Sequence, residues 1–111
     1  MGPLEVDGRD ALDDIERLLW WLVQGSAGAP TRIRVIRAIK ERPRNAQQLA
    51  DELGVDYTTV RHHLRILSAN HLLQTAGDRY GQVYFLSPGL ESHWPVFERI
   101  TGPRAVARGR S

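Results

Sequence analysis

The sequence predicts a mainly α-helical domain that carries one small β-hairpin, and three observations lead there. Apolar residues recur at helical spacing along most of the chain. Two short helical stretches are separated only by Gly54, Val55 and Asp56. After His71 the pattern changes to two short runs, Leu72 to Ala76 and Gln82 to Leu86, on either side of a loop bounded by Gly77 and Gly81. At 111 residues the chain has the length of one domain. Residues 10–100 are expected to fold, residues 1–9 to form a flexible start, and residues 101–111 a flexible basic tail.

The first helix is expected from Asp10 to Gln24, with Asp10, Asp13 and Asp14 at the positive end of its dipole. At about 100° per residue, Leu12, Ile15, Leu18, Leu19, Leu22 and Val23 share one arc, and Trp20 and Trp21 lie beyond its edges. That surface is wider than one seam. Either the tryptophans fill the margin of the helix's own domain, or the helix is shared with a second subunit. Residues 25–30 break the chain, and the next helix starts at Pro30 or Thr31 and runs to about Arg42, where Pro43 ends it. Ile33, Ile36 and Ile39, with Val35 and Ala38, form its buried side, which Arg32, Arg34 and Arg37 cannot all share.

Asn45 and Gln48 have the spacing of a capping box, so a short helix is expected from Ala46 to Leu53, closed by Gly54. Asp56 caps the next, from Tyr57 to about Ala69. Two short helices joined by a tight turn with a glycine make a helix-turn-helix. Val83 to Leu86 has the β-branched and aromatic content of a strand, so the two runs after His71 form a hairpin, or wing. Leu90 to Ile100 reads as a last helix with Trp94, Phe97 and Ile100 on its apolar side, in which Pro95 is tolerable only near the first turns.

On the helix that starts at Tyr57, Val60, Leu64 and Leu67 fall within a narrow arc and face the core. The opposite side carries Thr58, Arg61, His62 and Arg65, donors of the kind that reach phosphates and base edges. Charge points the same way. Residues 1–30 hold two basic and six acidic side chains, whereas residues 31–65 hold eight basic and four acidic ones. A basic middle suggests a polyanion partner, although arginines on helices also make an ordinary solvated face.

The stretch from Leu49 to Leu67, LADELGVDYTTVRHHLRIL, followed by a strand, a Gly-Asp-Arg-Tyr-Gly loop and a second strand, resembles the ArsR-like winged helix-turn-helix transcription regulators, especially archaeal ones. The resemblance covers about residues 31–86. It implies a homodimer whose extra first and last helices pair the subunits, the helix 57–69 lying in the major groove of double-stranded DNA, and the wing 77–81 touching backbone or minor groove. Carried over by position, Tyr57, Thr58, Thr59, Arg61, His62 and Arg65 face DNA from the helix, and Arg79 and Tyr80 from the wing. Gln47 and Gln48 donate to phosphates. Packing is the alternative role for Tyr57, closing the capping turn for Thr59, and covering the hairpin for Tyr80. Leu12, Ile15, Leu19, Trp20, Trp21, Leu22, Trp94 and Phe97 are the residues expected between subunits.

Other functions find little support. Many relatives of that type bind metal through cysteines, and this chain has no cysteine. His62 and His63 are adjacent on a helix and point about 100° apart, so they cannot hold one ion together. His63 lies at the margin of the core arc and reads as a buried, hydrogen-bonded histidine. No metal and no cofactor is expected, and no enzymatic activity, since neither a carboxylate pair in a plausible site, a nucleophile triad nor a phosphate-cradling glycine loop is found. The start carries no basic segment ahead of an apolar one, and the longest apolar run, Leu18 to Val23, is far short of the roughly 20 residues that cross a bilayer. A cytoplasmic protein is expected. Two rival readings stay open: a sequence-tolerant DNA coat aided by Arg104, Arg108 and Arg110, and a winged helix that binds protein through Trp20 and Trp21.

Overall fold

The computed structural model describes residues 8–78 and 81–102, with side chains described from Asp14 onward. Helix α1 (Gly8–Trp20) runs on into a π-helical turn, Trp21–Gly25. Then follow α2 (Ala29–Glu41), α3 (Ala46–Leu53), α4 (Tyr57–Ala69), the strands β1 (Leu73–Ala76) and β2 (Val83–Leu86), α5 (Pro88–Ser92) and α6 (Trp94–Thr101). The strands pair antiparallel, with Leu73 opposite Leu86 and Ala76 opposite Val83. Arg44 adds one bridge to the open edge of β2, its carbonyl accepting from the Tyr84 amide at 2.9 Å. This is the mainly α, hairpin-bearing winged helix-turn-helix that the sequence predicts.

Local signals fix the centre of the fold. The Asn45 side chain accepts from the Gln48 amide at 2.8 Å while Gln48 Oε1 accepts from the Asn45 amide at 2.9 Å, so α3 opens with a reciprocal cap. Gly54 closes it at φ +67°, a left-handed conformation suited to glycine. Asp56 Oδ2 accepts from the Thr59 amide at 2.8 Å and starts α4. Val35, Ile36, Leu49, Val60, Leu64 and Leu67, fully buried, hold α2, α3 and α4 around one core.

Two expectations need correction, and one is made specific. The first helix does not end as a regular α-helix. Its π-helical turn lets consecutive Leu22 and Val23 both enter the core, while Trp20 and Trp21 stay 55% and 57% exposed. Of the three arginines that could not all share the buried side of α2, Arg32 alone is buried; its guanidinium is taken up by backbone and side-chain acceptors. The last helix is two helices, α5 and α6, meeting at His93. Pro95 has no amide to donate back into a continuous helix, and it sits instead in the first turn of α6, where none is required.

α6 packs against α1 and its π-helical turn. Arg99 meets Glu16 at 3.0 Å, and Gln24 Nε2 donates to the Ile100 carbonyl at 2.8 Å. The first and last helices therefore lie side by side at one edge of the protomer. Among the described residues no helix is long and apolar enough to cross a membrane.

Candidate nucleic-acid interface

α4 is held by its inner face. Val60, His63, Leu64 and Leu67 are buried, and this orientation turns Thr58, Arg61, His62 and Arg65 to the surface. Tyr57, at the first position, is 45% exposed, and the Arg61 guanidinium lies 6.0 Å from its ring centroid. Thr59 is half-buried, and it is its backbone amide that Asp56 caps. That hydrogen bond also holds the Asp56 carboxyl below its usual pKa.

The basic side chains of the described residues divide into three groups. Arg17, Lys40, Arg42, Arg44 and Arg99 form ion pairs. Arg32, Arg34 and Arg37 donate to carbonyl or hydroxyl oxygens within the chain. Among the described residues, Arg61 and Arg65 have neither an ion pair nor a hydrogen-bond acceptor. Two guanidinium groups one helical turn apart, on one face, are left with their donors unused.

The surface around them is concave. A notch between the start of α3, the start of α4 and β2 is lined by Asn45, Ala46, Gln47, Tyr57, Arg61, Gln82 and Tyr84. A second depression runs along α4 beside the hairpin, past Arg61, Arg65, Ser68, Thr75 and Gln82. Among the described residues no carboxylate lines either one. A cleft with guanidinium, amide and phenol groups and no negative charge suits an anion.

Of the residues expected at this surface, Gln47, Tyr57, Thr58, Arg61, His62 and Arg65 are all exposed. Gln47 also donates to Asp51 Oδ1 at 3.0 Å. Gln48 is exposed, but its side-chain oxygen belongs to the cap of α3. Arg79 and Tyr80 lie outside the described residues. Asn45, Thr75, Gln82 and Tyr84 were not anticipated in the clefts. Strand period offered a signal, because Gln82 stands two residues before buried Tyr84 and so points to the same side of the hairpin.

Of the residues expected between subunits, Leu19, Leu22 and Phe97 are at most 2% exposed and belong to the protomer's own core. Helical period alone could not separate a core face from a partner face. Trp94 is engaged as well: it stacks on Phe97 at 4.4 Å, lies under Lys40, and donates to Glu98 at 2.8 Å. Trp20 and Trp21 remain as outward surface, while Ile15 is half-buried and packs against the core. The side chain of Leu12 lies outside the described residues. Among the described residues no group of three or more His, Asp or Glu side chains converges as metal ligands would.

Residues 29–74 match the model of the family described as bacterial regulatory protein, arsR family. Those residues span α2, α3, α4 and the beginning of β1. Among solved structures, the chain is similar to NolR from Sinorhizobium fredii, at 17% identity and TM-score 0.61, covering 92% of this chain and 98% of that one. It is similar to a homodimeric winged helix-turn-helix DNA-binding domain from Mycobacterium bovis, described as a possible ArsR-family transcriptional regulator, at 18% identity and TM-score 0.59, covering 97% and 91%. The transcriptional regulator BldR from Sulfolobus solfataricus matches at 14% identity and TM-score 0.63, covering 92% and 78%. At such identities the likeness is one of fold. No curated protein matches the chain by sequence.

Proposed function

We propose that this chain is an ArsR-like winged helix-turn-helix transcription regulator that acts by binding double-stranded DNA, in the cytoplasm and as a homodimer; the family match over residues 29–74 and the shared fold support this reading. Helix α4 lies in the major groove. Thr58, Arg61, His62 and Arg65 meet base edges and flanking phosphates, while Gln47 and the cleft beside Gln82 take the backbone. The wing, with Arg79 and Tyr80, touches backbone or minor groove. The observation that carries this reading is the pair Arg61 and Arg65, which among the described residues have no acceptor and face clefts lined by no carboxylate. The homodimer rests on the exposed Trp20 and Trp21 beside the paired first and last helices. Its support from outside the chain is the homodimeric relative from Mycobacterium bovis.

The test is selection of a preferred duplex from a random pool, followed by binding of that duplex and a scrambled one. Arg61→Ala and Arg65→Ala should each cost about 1 to 3 kcal/mol on the selected duplex for a lost base contact, and less on the scrambled one. Equal loss on both would mean that the arginines meet phosphate alone, as in a DNA coat. No binding to either duplex by the unaltered protein would leave the Trp20 and Trp21 surface, and hence a protein partner, as the function.

A further inference from the structure

The side of α4 that faces away from the proposed DNA surface holds a buried polar junction. Arg32 and His63 are 3% and 4% exposed, and Arg32 Nε donates to His63 Nδ1 at 3.3 Å. The rest of the guanidinium reaches the end of the first helix and the loop after it. One terminal nitrogen donates to the Leu22 carbonyl at 2.8 Å and to Ser26 Oγ at 2.7 Å, and the other to the Ala27 carbonyl at 3.1 Å. An arginine side chain only donates, so His63 Nδ1 must be the acceptor and the ring neutral with its proton on Nε2. The loop closes on the ring at Gly28, which stands at φ +81°; a Cβ there would come within 2.7 Å of His63 Cε1.

A buried cation without a carboxylate costs desolvation, and a leucine at this position would avoid that cost. What the arginine provides instead is direction. Its planar fork fixes three backbone or side-chain oxygens and one ring nitrogen relative to one another. We infer that Arg32 and His63 are positioning residues for α4: they fasten the segment that bears Trp20 and Trp21 to the inner face of the helix that presents Arg61 and Arg65. A change of packing at the tryptophan surface, such as association with a second copy, is thereby carried to the reading surface. His62, next to His63 with ring centroids 5.3 Å apart, lies on the DNA side of the same turn.

The inference rests on the DNA-binding reading above, and its test separates the two. His63→Asn keeps an acceptor near the place of Nδ1, whereas His63→Leu has nearly the same shape and no acceptor. Each variant is compared with the unaltered protein on the duplex selected from the random pool and on the scrambled duplex, with backbone hydrogen exchange followed in free protein. The expected result is that His63→Leu stays cooperatively folded but loses preference by about tenfold, as for one lost base contact. His63→Asn should stay within about twofold of the unaltered protein. Preference retained in His63→Leu, or lost alike in both variants, would overturn the inference. Should His63→Leu not fold, Arg32→Lys takes its place, keeping the charge without the fork, with the same loss expected and an unchanged preference overturning. If the unaltered protein prefers no duplex, the DNA reading fails on its own. The link is then judged by exchange: faster opening of α4 amides in His63→Leu than in His63→Asn supports it, and equal rates overturn it.

Discussion

Single residues decide how α3 and α4 begin and how α4 sits on its support. Asn45 satisfies one otherwise open amide at the start of α3 and receives Gln48 in return. Asn45→Ala should therefore lower stability by about 1 kcal/mol, read from the urea midpoint with unchanged slope. His63 gives stability a pH dependence. Burial disfavours its imidazolium, with Arg32 and then His62 adding to the effect, so its pKa lies below the ordinary 6.5. The unfolded chain takes up the proton first. This contribution is thus fully present above pH 6.5 and is lost progressively as pH falls from there towards the lower value of the folded state. Unfolding followed at several pH values should show a falling midpoint below that pH, and His63→Asn should remove this component. An identical pH profile in the variant would contradict the assignment.

At the scale of elements, two left-handed glycines separate backbone strain from steric conflict. Gly28 and Gly54 have φ of +81° and +67°, yet a Cβ on Gly54 would meet nothing within 4 Å, while one on Gly28 would strike the His63 ring. Gly54→Ala should cost about 1 kcal/mol, the penalty of the left-handed conformation, and Gly28→Ala clearly more, compared by thermal unfolding. The same contrast explains which elements were legible in the sequence. α3 and α4 begin and end where expected because Asn45, Gln48, Gly54 and Asp56 act within a few residues of themselves. The hairpin was legible from its change of period. The π-helical turn after Trp20, the break at His93 and the burial of Arg32 were not. The break at His93 has a local cause in Pro95, which the apolar period masks by running on across it, and the acceptors around Arg32 include carbonyls that no hydrophobic pattern records. At the candidate site, the helical face with Arg61 and Arg65 was legible from period alone. The cleft beside it needed the hairpin folded back so that Gln82 and Tyr84 meet α4.

For the whole molecule, the distribution of surface sets the expectation. Basic side chains with unused donors face one way, on α4, and two large aromatic side chains lie exposed at the end of α1. In the proposed homodimer a second copy covers this surface and adds stability. Replacing Trp20 and Trp21 together by serine should convert a dimer to a monomer in light scattering, and should weaken DNA binding through loss of the second half-site. A protein that is monomeric before the change would contradict the homodimer.

The most direct test of the central claim is titration of the unaltered protein onto a fluorescent duplex carrying its own upstream region, beside a scrambled duplex, from about 50 to 200 mM salt. A regulator that reads sequence through α4 should weaken on both as salt rises and keep its preference for the native duplex at the upper end. Equal affinities that fall together with salt, or no binding at all, would contradict it.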